Sequence, residues 1–160
     1  MKTIHIIFCC AAIVLCAAAC RQTVEDTPAM TTDTKVYAGF RLKSISITGV
    51  STLATDADET PATTADMYVQ LEKSGAAAPF QTSNVRTNIA TLPFLYTFAT
   101  PLELEQKTVY NVYVYDKDQP AATFDYFMGV VPFKLSDYNG KATFQNAYNG
   151  TSITITGEWY

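Results

Sequence analysis

The sequence is short of the residues that carry most polar catalysis. Its one histidine is His5, and its four cysteines all lie at or before Cys20. Beyond position 20 there is neither imidazole nor thiol. That excludes Ser-His-Asp and Cys-His arrangements, histidine metal sites and the commonest general base from the rest of the chain. It also excludes a disulfide framework there. Lys and Arg never cluster, so there is no basic footprint for nucleic acid. Once Lys2 is set aside, ten basic residues face fifteen acidic ones, a formal charge of −5. Such a chain is ill suited to hold anionic lipid by charge alone. No stretch beyond position 20 repeats apolar residues at helical spacing over a convincing length.

What is present begins with "MKTIHIIFCCAAIVLCAAAC". Lys2, an apolar run from Ile4 and small residues ending at Cys20 have the shape of a secretory signal. The run is just long enough for an uncleaved membrane helix to be the alternative. "AAAC" resembles the lipobox of bacterial lipoproteins, in which cleavage precedes a cysteine that becomes lipidated. Where leucine is usual, this chain has Ala17, with Leu15 two residues earlier. The resemblance implies a signal peptide over 1–19, lipidation at Cys20 and a membrane anchor of two or three acyl chains, enough for stable attachment. Residues 20–34 then form a tether. They are polar and Thr-rich, with Pro28. The pair Glu25-Asp26 is similar to the acidic export signals of Bacteroidetes lipoproteins. The implied location is a bacterial cell envelope, with the outer membrane as the anchoring bilayer.

From Lys35 to Tyr160 the pattern has period two. Met67, Val69 and Leu71 alternate with Tyr68, Gln70 and Glu72. Phe94, Tyr96 and Phe98 alternate with Leu95 and Thr97. Tyr110, Val112 and Val114 oppose Asn111, Tyr113 and Tyr115. Ile153, Ile155, Gly157 and Trp159 share one face of the last segment. Such alternation, rich in β-branched and aromatic residues, builds half-buried antiparallel strands. Asn139-Gly140 and Asn149-Gly150 both read as type I′ hairpin turns bracketing a short strand, Lys141 to Asn146. Pro93, Pro101 and Pro132 belong at strand ends or edges. Lys43, Lys73, Lys107 and Lys134, on different strands, read as charges that blunt sheet edges. The predicted fold is all-β: an antiparallel Greek-key sandwich of about eight strands over 35–160.

The acids are unevenly placed. Asp56, Asp58, Glu59 and Asp66 precede one apolar strand; Asp116, Asp118 and Asp125 lie around another turn. Together they are seven of fifteen acidic residues. Convergent carboxylates repel unless a cation neutralises them. A hard ion with several oxygen ligands, Ca²⁺, suits that chemistry. Against it stands the ordinary role of Asp in turns, where it bonds its own backbone. Both readings stay open for Asp66, Asp116 and Asp118, and Glu59 reads as a solvated loop acid. The ten tyrosines are strand residues first, and a glycan platform among them looks the same in sequence as sheet packing.

Three segments in series resemble the C2 domain, a calcium- and lipid-binding family, over about Arg41 to Tyr160. "LKSISITGVSTLATDADETPATTADMYVQL" is similar to its first strand, first calcium loop and "DPYVKV" strand. "QTSNVRTNIATLPFLYTFATPLEL" resembles its "KT…NP.WNE.F.F" segment. "YNVYVYDKD…FMGVVPFKLSDY" resembles "L.V.VYDKD…DFMG...I.L..L". The resemblance implies a calcium set of Asp56 or Asp58, then Asp66, Asp116, Asp118 and Asp125. In the family the last of these stands three residues before the glycine. Here that place holds Tyr126, and Asp125 is one residue early.

The expected function is a non-catalytic, lipid-anchored envelope module. Ca²⁺ would join its acidic loops to a protein, glycan or phospholipid partner, and nucleic acid is not expected. The alternative is a metal-free structural sandwich in an outer-membrane or surface assembly. A glycoside-cleaving carboxylate pair is conceivable without histidine, but no further acid pair stands out, and an enzyme is not expected.

Overall fold

The computed structural model of the chain describes residues 35–50, 65–117 and 125–160. Strands follow the period-two segments: β1 (Gly39–Gly49), β2 (Ala65–Lys73), β3 (Gln81–Thr82), β4 (Arg86–Ile89), β5 (Phe94–Glu105), β6 (Val109–Asp116), β7 (Tyr126–Lys134), β8 (Thr143–Tyr148) and β9 (Thr151–Trp159). The first sheet runs β5-β1-β9-β8 and the second β3-β2-β6-β7, with β4 also on β2. Every pairing is antiparallel. The short β3 and β4 are two pieces along one flank of β2. They count as one interrupted strand, which reconciles nine segments with the eight expected.

The inward series closes the core between the sheets. Phe40, Leu42, Ile45 and Ile47 of β1, with Ile153 and Ile155 of β9, face Met67, Val69 and Leu71 of β2 and Val112 and Val114 of β6, all fully buried. Each such side chain contributes about 1.5–3 kcal/mol of burial free energy. Strict alternation would put Leu42 and Ile45 on opposite faces. The register shift between Leu42 and Ser44 inserts one residue and returns Ile45 to the core. Trp159 packs partly buried against this core, and its Nε1–H donates to the Lys141 carbonyl at 2.9 Å.

The turn expectations divide. Asn149 and Gly150 both have positive φ, 46° and 83°, and join β8 to β9 as a type I′ hairpin. Asn139 has φ −47° and ψ 125° before Gly140 at φ 80°. That is a type II turn. It follows a 3₁₀ turn over Leu135–Tyr138 rather than a strand, so no hairpin forms there. The prolines obey the edge rule: Pro101 and Pro132 lie in β5 and β7, both edge strands. The lysines obey it only in part. Lys134 ends the edge strand β7. Lys43 and Lys73 sit on β1 and β2, interior strands, where they pair with Glu158 at 2.6 Å and Glu105 at 2.8 Å.

Candidate functional site

Three of the sequence-predicted acids, Asp66, Asp116 and Asp125, fall among the described residues, at one end of the sandwich. The register fixes this. Met67 at the start of β2 lies opposite Asp116 at the end of β6, and Asp116 lies opposite Tyr126 at the start of β7. Ala65, Lys117 and Asp125 are therefore neighbours in the fold, and they flank 51–64 and 118–124. Ile89, opposite Ala65, brings the connection into β5 to the same end. Asp56, Asp58 and Asp118 lie outside the described residues, as does Cys20.

Asp66 and Asp116 are 5% and 1% exposed. Asp116 Oδ1 accepts the Asp66 backbone N–H at 2.7 Å, and Asp66 Oδ1 accepts the Asn88 N–H at 2.8 Å. The Lys117 N–H donates to the Asp66 carbonyl at 2.8 Å. Asn88 reaches its donating position with φ at +60°, a conformation asparagine tolerates better than most residues. The two carboxylates thus tie β2, β4 and β6 together where the ladders end. Backbone donors orient one oxygen of each.

Asp125 is placed differently. Its Oδ2 accepts the Tyr68 hydroxyl at 2.6 Å, and its Oδ1 pairs with Lys117 Nζ at 2.7 Å. Tyr68 alternates with the core residues of β2, so this network lies on the outer face of the second sheet. Asp116 instead continues the inward series Tyr110, Val112 and Val114. Because strand side chains alternate, neighbouring positions serve opposite faces. Burial by itself would raise the Asp125 carboxyl. The Lys117 ammonium and the Tyr68 hydroxyl outweigh it and hold the group below the ordinary carboxylate range. Tyr68 is pushed up, by burial first and by the Asp125 carboxylate second. Among the described residues, no three acids, histidines or cysteines approach closely enough to hold a metal ion.

Lys117 and Tyr68 were not singled out in the sequence. Lys117 lies inside "DKD", where the flanking aspartates are the stronger chemical signal. Tyr68 belongs to a ring ladder. It stacks on Tyr115 at 5.2 Å and 16°, and Tyr115 stacks on Tyr113 at 6.3 Å and 23°; Phe127 closes on both at steeper angles. Stacked rings cover one another's faces. Tyr68 and Tyr115 stack across the β2–β6 pair, and Tyr113 and Tyr115 stack along β6.

No family model and no curated protein matches the sequence. Solved structures do match in shape. A structure of human GIVD cytosolic phospholipase A2, in complex with an inhibitor and terbium chloride, aligns with a TM-score of 0.52 and 16% identity. The alignment covers 79% of this chain and 18% of the phospholipase, so the chain spans less than a fifth of that protein. A C2 domain of plant extended synaptotagmin 1 aligns at 0.46 and 15% identity, over 79% of this chain and 98% of the domain. The paired C2 domains of extended synaptotagmin 2 align at 0.49 and 14% identity, over 78% of this chain and 42% of that one. At these identities the likeness is one of fold. With two antiparallel sheets and their strand order, the described residues form a C2-like β-sandwich.

Proposed function

We propose that the chain is a non-catalytic, lipid-anchored binding module of a bacterial cell envelope. It is held at the outer membrane through Cys20, and its acidic end takes up Ca²⁺. The observation that carries the calcium reading is the link between two buried aspartates on neighbouring strands, in which the Asp116 carboxylate accepts the Asp66 backbone N–H. Asp66 and Asp116 stand where both acidic segments, with Asp56, Asp58 and Asp118, attach. The donor set fits a hard cation. It offers carboxylate and backbone oxygens and no soft ligand, and backbone N–H groups already orient Asp66 and Asp116. Bound Ca²⁺ would supply positive charge with unfilled coordination positions. The residues of this chain hold the carboxylates in place and set which anionic group can approach: a phospholipid headgroup, a protein carboxylate or an acidic glycan. The match to a phospholipase solved with terbium chloride, a hard oxygen-seeking ion, is consistent with this reading.

Terbium gives a direct test. Titrated into the full chain, it should show luminescence sensitised by nearby tyrosines, and Ca²⁺ should displace it. Asp116→Asn with Asp118→Asn should abolish both. If neither ion produces heat or luminescence at millimolar concentration, calcium is withdrawn. The anchor is tested separately: a palmitate analogue should label the wild-type chain in a lipoprotein-processing bacterium, and Cys20→Ala should stay unlabelled.

One observation favours a metal-free structural module instead. Asp125, which the family resemblance would enrol as a ligand, is already neutralised by Lys117 and Tyr68. In that reading the acids fasten strand ends, and the double Asn variant binds its partner unchanged in the presence of Ca²⁺.

A further inference from the structure

A further feature lies on the flank of the sandwich, beside the acidic end: Arg86 of β4 pairs with Met67, which pairs in turn with Asp116. There the edge strand β5 faces the β3–β4 side of the second sheet, and a cavity of about 340 Å³ opens between them. Ser83, Asn84 and Arg86 line one wall; Tyr96, Phe98 and Leu102 line the other. In a chain with a clear excess of acid, no carboxylate among the described residues lines this cavity, and Arg86 is the one charged residue among the described residues that does. Arg86 is exposed, and none of the four ion pairs among the described residues includes it. Tyr96 is 5% exposed, and its hydroxyl has no hydrogen-bond partner among the described residues. Arg86 and Tyr96 line the same cavity; burial raises the Tyr96 phenol, and the charge of Arg86 opposes that rise.

A buried hydroxyl without a partner is unusual in a folded protein and destabilises it unless something polar completes it. We propose that this inter-sheet mouth binds a small monocarboxylate with a short apolar body. The guanidinium of Arg86 takes the carboxylate, the Tyr96 hydroxyl donates to it, and the apolar body lies along Phe98 and Leu102. The charge count selects the class. One planar guanidinium matches one planar carboxylate in a bidentate fork. A phosphate monoester would bring a second negative charge with no second cation to meet it. The volume lies within the range of small-ligand cavities, roughly 300–1,000 Å³.

The test uses hexanoate, its uncharged methyl ester and inorganic phosphate on the full chain in mild detergent. Binding is followed by the Arg86 Nε–H and Tyr96 ring resonances. Hexanoate should shift both saturably at millimolar concentration; methyl hexanoate and phosphate should not. Arg86→Gln should weaken hexanoate by about tenfold or more, the scale of a lost charge-assisted bond. Tyr96→Phe should weaken it several-fold while the thermal midpoint stays equal or rises, which separates lost binding from unfolding. The proposal is overturned if hexanoate gives no saturable shift or methyl hexanoate binds as well. It is equally overturned if phosphate binds more tightly, or if either variant binds hexanoate as the wild type does.

Discussion

At the scale of single residues, the acidic end combines two kinds of aspartate. Asp116 is a buried acceptor for a backbone N–H. Replacing it with Ala removes that acceptor and strands the Asp66 donor. Asp116→Ala should therefore cost about 1–3 kcal/mol, read as a lower urea midpoint at unchanged slope. Asp125 is partly exposed and charge-paired, and its effect is read through pH. Its folded pKa lies below its unfolded value. Its contribution is therefore present above the unfolded pKa, about 3.9 for Asp, and is lost as pH falls through the lower, folded one. Glu105 and Glu158, lowered by Lys73 and Lys43, act in the same direction. The test is thus a difference: Lys117→Met should flatten the acid limb of a melting-temperature profile relative to wild type. An unchanged limb would show that the ion pair with Lys117 contributes nothing to stability. Tyr68→Phe should flatten it less, because it removes a hydrogen bond and not a charge.

At the scale of elements, the glycine of "FMG" has a packing role. Gly129 in β7 has φ +156°. A Cβ added there would collide with the Thr151 hydroxyl at the start of β9. Thr151 is fully buried, and its hydroxyl donates to the Met128 carbonyl at 3.4 Å. The two sheets therefore touch through Gly129, close to the acidic end. Gly129→Ala should destabilise by about 1–3 kcal/mol, the range for an overpacked core position. Thr151→Ala should relieve part of the clash, so a double-mutant cycle should show positive coupling. The β8–β9 hairpin makes a milder prediction. Gly150→Ala places a side chain at φ +83°, and should cost about 1 kcal/mol without altering the register of β9.

At the scale of the whole molecule, a cation bound at the acidic end would stabilise the folded chain by mass action. At 100-fold excess over its dissociation constant the gain is about 2.7 kcal/mol. Scanning calorimetry of the full chain with and without Ca²⁺ measures this. A midpoint that rises with Ca²⁺ in the wild type, and not in the Asp116→Asn, Asp118→Asn variant, is the expected outcome.

The sequence by itself determined the sandwich. Its alternation specified which face of each strand is buried, because a period of two leaves a strand one way to hide its apolar residues. It also determined that no histidine or thiol chemistry operates beyond Cys20. The tertiary structure decided the rest. The bulge at Lys43 and the type II geometry at Asn139-Gly140 depend on what the backbone meets across the sheet. Whether Asp125 joins Asp116 depends on the face each strand turns outward, and there Lys117 and Tyr68 hold Asp125 away from the core side. That Arg86 and Tyr96 line one cavity left no local trace at all, since β4 and β5 belong to different sheets. Alternation is a local property and legible in sequence; convergence of side chains from separate strands is set only when the sheets pack.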